Sequence, residues 1–208
     1  MMQEPLGVIL AGGLARRMGG GDKGLLLLDG QTLIARVIER MQPQVAALAI
    51  NANGDAARFA GYNLPVVPDS IDGFAGPLAG VLAGLDWAAT KGADHIVTAA
   101  ADTPFFPADL VPRLLMAAED AGVTMALAAS PHPTRGMLRQ PTFGLWPVAL
   151  RDDLRTALQG GVRKIVQWTD SHGAALAPFA LEGFDPFFNV NTPEDMKMAE
   201  ALVSGGSE

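Results

Sequence analysis

Between Gly12 and Gly24 the chain gathers Gly12, Gly13, Gly19, Gly20, Gly21 and Gly24 around Arg16, Arg17 and Lys23. Glycine admits positive φ and lets backbone approach a ligand closely. Successive backbone N–H groups then form an anion nest, and the cations add charge to it. The segment follows the apolar run from Leu6 to Leu10, so it lies where a buried strand ends, the edge at which α/β proteins bind ligands. This combination describes a cradle for a polyphosphate. A Gly-rich surface loop with solvated cations is the plainer alternative. Two phosphate motifs do not apply. Gly19, Gly21 and Gly24 have the spacing G-x-G-x-x-G, but the residues before them, Leu14 to Met18, are not a strand, and that fingerprint needs strand–turn–helix context. Walker A fails because Lys23 is followed by Gly24 and Leu25.

A second piece is Asp102, in Ala101-Asp102-Thr103-Pro104, where another apolar run stops. A carboxylate there projects toward the same crevice and suits Mg²⁺ shared with triphosphate oxygens. Left without a positive neighbour it costs stability. Capping of a turn, which Asp-Thr-Pro also favours, is the bland reading. The pairing with the Gly-rich loop favours the metal. Asn51, Asn53 and Asp69 also stand at the ends of apolar runs, where they offer donor and acceptor pairs to a base or ribose or serve as turn residues. Gly76-Pro77-Leu78-Ala79-Gly80 opens a helix, presenting either free N-terminal amides to a ligand or small packing residues. In Asn189-Val190-Asn191-Thr192-Pro193-Glu194-Asp195, helix capping explains the last residues. The two Asn alternate about Val190 and share one side of an extended segment. His95, His132 and His172 show no ligand spacing, and Ser70, Ser130 and Ser171 lack a nucleophile-elbow context.

The elements that must position these residues follow from apolar patterning. Leu6–Leu10, Val45–Ile50, Val66-Val67, Ile96–Ala101 and Val123–Ala129 are continuous apolar runs, as expected of strands buried on both faces of a parallel sheet. Between them Leu33, Ile34, Val37, Ile38 and Met41 share a helical face, with Thr32 as cap. Leu78, Val81, Leu82 and Leu85 form a second stripe. Leu110, Leu114 and Leu115 form a third, with Pro107 at the first helical position. The last helix starts with Thr192 as N-cap, Pro193 at N1 and Asp195 at N3. Ser130 to Gln140 is expected to be a loop, with Thr142–Trp146 and Ala174–Phe179 as strands at a sheet edge or in a small subsheet. The alternation implies an α/β, Rossmann-like, mostly parallel sheet with helices on both faces. The 208 residues are expected to form one domain ending in a flexible tail from Ser204 to Glu208.

Composition narrows the classes. With 49% hydrophobic and 18% charged residues, global disorder is excluded. The absence of cysteine removes disulfides and thiol nucleophiles. A net charge of −7 argues against wrapping nucleic acid, but not against a small anion in a locally cationic site. Met1 to Pro5 carries no cationic leader, and the first apolar run is too short to span a membrane. A cytoplasmic address is expected.

Leu10-Ala11-Gly12-Gly13, then Arg17-Met18-Gly19 and Asp22-Lys23, resemble the signature of nucleotidyltransferases with a GT-A-like Rossmann fold. With Asn51-Ala52-Asn53, Asp69, Gly76-Pro77-Leu78-Ala79-Gly80, Asp102-Thr103-Pro104 and Asn189 to Asp195, the resemblance narrows to the molybdenum cofactor guanylyltransferases, from Leu10 to Asp195. It implies GTP-dependent transfer of GMP to the terminal phosphate of molybdopterin, with release of pyrophosphate. Leu10, Ala11, Gly12, Gly13, Lys23, Asn51, Asp69 and Asp102 are then the nucleotide-binding residues, and Asp102 is the Mg²⁺ ligand. Arg17, Lys23 and Asp102 are the catalytic candidates, and Gly76, Pro77, Leu78, Asn189 and Asn191 the acceptor-binding ones. At Arg139-Gln140-Pro141-Thr142 the family often has His-Pro-Thr; Gln140 replaces that His and is given no catalytic duty. Partners implied are GTP, molybdopterin or its molybdenum-bearing form, and, as candidates, molybdoenzyme maturation proteins, with a monomer favoured. Cytidylyl transfer to the same acceptor, nucleotidyl transfer to a sugar or polyol phosphate, and a non-catalytic nucleotide-binding regulatory module are the rival readings. A dehydrogenase would need the fingerprint rejected above.

Overall fold

The computed structural model describes residues 3–12, 22–71, 73, 76–181 and 183–205. Among the described residues the strands are β1 (Leu6–Leu10), β2 (Leu27–Leu28), β3 (Gln31–Thr32), β4 (Leu48–Asn51), β5 (Val66–Val67), β6 (His95–Ala100), β7 (Ala126–His132), β8 (Gly136–Pro147) and β9 (Ala175–Pro178). The helices are α1 (Leu33–Met41), α2 (Pro77–Thr90), α3 (Leu110–Asp120), α4 (Arg151–Gln159), α5 (Ile165–Asp170) and α6 (Pro193–Gly205). Seven strands form one sheet in the order β5-β4-β1-β6-β8-β7-β9, and β2 and β3 form a small separate hairpin. All pairings in the large sheet are parallel except those of β8, which runs antiparallel to both β6 and β7.

The strands alternate between two cores. Val8 of β1 and Ile96 of β6 point into one apolar cluster with α2, α4 and α5. Ile9 and Val97 point into the other, with α1 and α3. Burial on both faces explains why these strands read as unbroken apolar runs. A third cluster joins Leu28, Leu33, Val190 and Ala199, so α6 closes over the β2–β3 hairpin.

The first four parallel strands and the first, second and last helices match expectation. The Thr32 hydroxyl accepts from the Ala35 N–H at 3.2 Å. The Thr192 hydroxyl accepts from the Asp195 N–H at 3.1 Å, and the Asp195 carboxylate returns the contact to the Thr192 N–H at 2.8 Å, a reciprocal capping box.

Four expectations are corrected. Ser130 to Gln140 is not a loop: β7 runs to His132 and β8 starts at Gly136, leaving only a tight turn between them. Thr142–Trp146 is not an edge; it lies in β8, between β6 and β7. Its interior place is supported by a polar relay from Trp146 Nε1 to the Thr98 hydroxyl (2.9 Å) and on to the Thr142 carbonyl (2.8 Å). Pro107 precedes the third helix, whose N-cap is Asp109. Ser204 and Gly205 belong to α6, while the last three tail positions lie outside the described residues.

Candidate active site

The C-terminal ends of β4, β1 and β6 lie side by side, with Leu10 in register with both Asn51 and Ala100. Beyond the ladder the Ala11 N–H donates to the Asn51 carbonyl at 2.9 Å, and the Ala101 N–H to the Leu10 carbonyl at 3.1 Å. Gly12 then emerges exposed, with no described atom beyond its chain neighbours within 4 Å of where a Cβ would stand. Gly13, Arg16, Arg17, Gly19, Gly20 and Gly21 lie outside the described residues.

Lys23 returns the chain to this edge. Its Nζ stands 3.4 Å from Asp102 Oδ2 and also donates to Asn191 Oδ1. The side chains of Lys23 and Asp102 are only 21% and 20% exposed. Gly24 permits this: a Cβ there would lie 3.1 Å from the Ala101 Cβ. Val190 is wholly buried, and its N–H donates to the Asp102 carbonyl at 2.9 Å. That anchor places Asn189 and Asn191 on either side of it at the site. The buried Thr103 hydroxyl donates to Asn189 Oδ1 and lies 3.4 Å from Asp102 Oδ1. Residues from three distant stretches thus meet in one cluster: Lys23, Asp102 with Thr103, and Asn189 with Asn191. The positive neighbour that Asp102 requires is Lys23.

A second cluster sits across β1, two strand spacings or about 10 Å away. The Asn51 amide donates to Asp69 Oδ1 at 3.0 Å and to the Val67 carbonyl at 3.1 Å. The Asn53 amide donates to Asp69 Oδ2 at 2.8 Å, and its carbonyl oxygen accepts from the Asp69 N–H at 2.8 Å. Two amides therefore fix the Asp69 carboxylate, which still has lone pairs to offer. Asn51 itself is buried within β4 rather than beyond it.

The helix-opening segment is more structural than its sequence suggests. Gly76 is the N-cap of α2, with φ +140, and Pro77 occupies the first turn. The Leu78 side chain is buried among the α2 core residues, so it offers no surface to a ligand. Gly80 faces the sheet, where a Cβ would come within 2.2 Å of Asn51 Oδ1 and 2.8 Å of a Leu10 methyl. Its bareness makes room for Asn51.

The family described as the MobA-like NTP transferase domain matches residues 7–175. The chain belongs to that family. A molybdenum cofactor guanylyltransferase of Bradyrhizobium sp. (strain ORS 278) is 51% identical over 201 residues, covering 95% of this chain and 92% of that protein. One of Rhodopseudomonas palustris (strain BisB5) is 51% identical over 199 residues, covering 94% and 92%. The crystal structure of molybdopterin-guanine dinucleotide biosynthesis protein A from Archaeoglobus fulgidus superposes with a TM-score of 0.72 at 26% identity, covering 96% of this chain and 99% of that one.

Within this MobA-like frame, two participants escaped sequence reasoning. Thr103 stood in view beside Asp102, but nothing local shows that its hydroxyl reaches Asn189, 86 positions away. Asp22 and Arg58 form an ion pair at 2.5 Å, and no motif marks Arg58. Among the described residues no group of three or more His, Asp or Glu side chains is gathered as a metal cluster.

Proposed function

We propose that this chain is a molybdenum cofactor guanylyltransferase, one nucleotidyltransferase domain that moves GMP from GTP to the terminal phosphate of molybdopterin and releases pyrophosphate. The observation that carries the reading is the meeting of Lys23, Asp102, Asn189 and Asn191 at one sheet edge, in a chain about half identical to proteins named for that reaction.

An acceptor phosphate oxygen attacks the α-phosphorus in line, the bond to the bridging oxygen breaks, and pyrophosphate leaves with its electron pair. The attacking phosphate is already anionic, so no general base is required. The protein's task is positioning and charge neutralisation. Lys23 has three N–H donors; Asp102 and Asn191 engage two, and the third is available to phosphate. Arg17, outside the described residues, is the second cation proposed for the triphosphate. Asn189 and Asn191 orient the acceptor beside it; Gly76 and Pro77, at the start of α2, are the further acceptor-side candidates. Gly12 offers backbone to the nucleotide, next to Leu10 and Ala11, which hold the strand end in place through the Leu10 carbonyl and the Ala11 N–H.

Asp102 suits Mg²⁺. Its Oδ1 retains acceptor capacity, because the single Thr103 hydroxyl proton goes to the nearer Asn189 oxygen. One carboxylate with substrate phosphates and waters is the usual Mg²⁺ arrangement. When bound, the ion offsets phosphate charge. At the other cluster, the fixed Asp69 carboxylate faces a base edge with two acceptor oxygens, which complement the adjacent N–H donors of guanine. Cytosine and adenine pair one donor with an acceptor on that edge and fit less well.

The test is pyrophosphate release with molybdopterin, Mg²⁺ and each of GTP, CTP, ATP and UTP, beside melting curves with the same nucleotides. GTP should turn over fastest, and at a hundred times its Kd should add about 2.7 kcal/mol of stability. A larger response to CTP replaces this reading with cytidylyl transfer. Binding without turnover leaves a regulatory module. The cytoplasm is the compartment that supplies both substrates; among the described residues no helix is long and apolar enough to cross a membrane.

A further inference from the structure

The two clusters of the site are held apart by β1, but Asp22 and Asn53 both lie beyond the ends of the strand ladder. What connects them is one side chain. Arg58 sits in a short 3₁₀ segment, Ala56–Tyr62, whose first turn is capped by Asp55 accepting from the Ala57 N–H at 2.9 Å. The Arg58 guanidinium donates to the Asn53 carbonyl at 2.6 Å and to the Asp55 carbonyl, and its Nε stands 2.5 Å from Asp22 Oδ2. It also lies 4.6 Å above the ring of Phe59, itself wholly buried. The planar fork of arginine reaches several acceptors at fixed angles, which a lysine ammonium does not reproduce.

We propose that Arg58 is a positioning residue that locks the phosphate side and the base side of the nucleotide site at a fixed separation, through Asp22 on one side and Asn53 on the other. Asp22 precedes Lys23, the cation beside Asp102. Asn53 makes two hydrogen bonds to Asp69. The connection therefore runs from Lys23 through Asp22, Arg58 and Asn53 to Asp69. Arg58 itself need not touch the nucleotide: its two Nη groups donate to the Asn53 and Asp55 carbonyls, and its charge is paired with Asp22 by an ion pair in which Nε makes no hydrogen bond. A nucleoside triphosphate binds tightly only when both ends fit at once, so a strap that sets their spacing acts on nucleotide affinity rather than on the chemical step. The inference rests on the nucleotide site proposed above.

The experiment is steady-state kinetics with GTP, Mg²⁺ and molybdopterin on full-length wild type, Arg58→Ala, Arg58→Lys, Asp22→Ala and the Arg58→Ala/Asp22→Ala double variant, with melting curves for each. Arg58→Ala should raise KM for GTP about tenfold, the loss of one charge-assisted contact, with kcat within about twofold of wild type. Asp22→Ala should do the same, and the double variant should be no worse than the worse single one, because both remove one strap. Arg58→Lys should recover less than half of the loss. An unchanged KM in Arg58→Ala, additive losses in the double variant, or a loss confined to kcat overturns the proposal. Failure of both Arg58 variants to fold does so too, since Arg58 is then structural. Lys23→Ala and Asp69→Asn separate the two levels. If neither raises KM for GTP, the nucleotide site is wrongly placed; if both do and Arg58→Ala does not, only the strap fails.

Discussion

At the residue scale the proposed reaction turns on Asp102. Lys23 compensates its charge at 3.4 Å, and in the proposed reaction Lys23 and Mg²⁺ would both face phosphate. Asp102→Asn keeps the shape and removes the charge. Turnover should collapse to under about 1% of wild type, the scale set by losing a preorganised electrostatic contact, in the pyrophosphate-release assay. The melting curve should move little, because a partly exposed ion pair contributes about 1 kcal/mol or less. Turnover near wild type would remove Asp102 from the metal site, and lost turnover explained by unfolding would make it a turn cap. Asp102 was legible in the sequence because it stands where an apolar run ends, and a parallel sheet brings such ends to one edge; Lys23, Asn189 and Asn191 were legible only through the motifs that hold them. Thr103 and Arg58 were not, since their partners are set by tertiary approach. Leu78 was misleading: its segment looks like a ligand-facing helix start, but its side chain points into the core.

Helix α2 shows how an element can serve a site through what it lacks. It is buried around most of its circumference, and Gly80 and Gly84 are its points of closest approach to the sheet. At Gly84 a Cβ would lie 2.8 Å from both an Ile96 and a Val8 methyl. Alanine normally stabilises a helix by about 1 kcal/mol over glycine, yet Gly80→Ala should weaken GTP binding, because the added methyl displaces Asn51 and with it Asp69. Calorimetric titration of GTP reads this directly, and tighter binding would sink the account. Helix α6 supplies the other element-scale test. The Asp195 carboxylate that caps it also accepts from the Asn191 N–H at 2.9 Å. Thr192→Ala should cost about 1 kcal/mol, or roughly 2–4 °C in Tm. Asp195→Ala should in addition lower turnover through Asn191; equal effects of the two on turnover would argue against that coupling. The starts of α1, α2 and α6 and the first parallel strands were readable because capping residues and buried runs are local signals; the start of α3 was not, since Pro107 precedes it. The place of β8 was not, because nothing within Gly136–Pro147 states which two strands it separates.

At the scale of the whole molecule, His95 ties stability to pH. His95 begins β6 at the sheet edge opposite the site and is buried. Burial holds its imidazole below the usual histidine range, outweighing the upward pull of the neighbouring Asp94 carboxylate. The folded form therefore takes up its proton less readily than the unfolded chain does. Stability is full above about pH 6.5, the unfolded value, and falls as pH drops through it toward the lower folded value. His95→Leu should flatten the decline in Tm between pH 7.5 and 5.0; an unchanged slope would show that other groups govern it. The antiparallel β8 has a consequence of another kind, for a chain leaving the ribosome. β6 pairs with β1 on one side and with β8 on the other, and 47 residues separate Ala100 from Pro147. At ordinary rates of synthesis that is a delay of roughly 2–10 s. Throughout it the half-sheet β5-β4-β1-β6 exposes an apolar open edge of six residues, and β7, made before β8, has no neighbour to join it to. Nascent chains stopped between Ala129 and Gly136 are accordingly the ones expected to engage holdase chaperones or self-associate, and chains extended past Pro147 are the first in which that edge is closed.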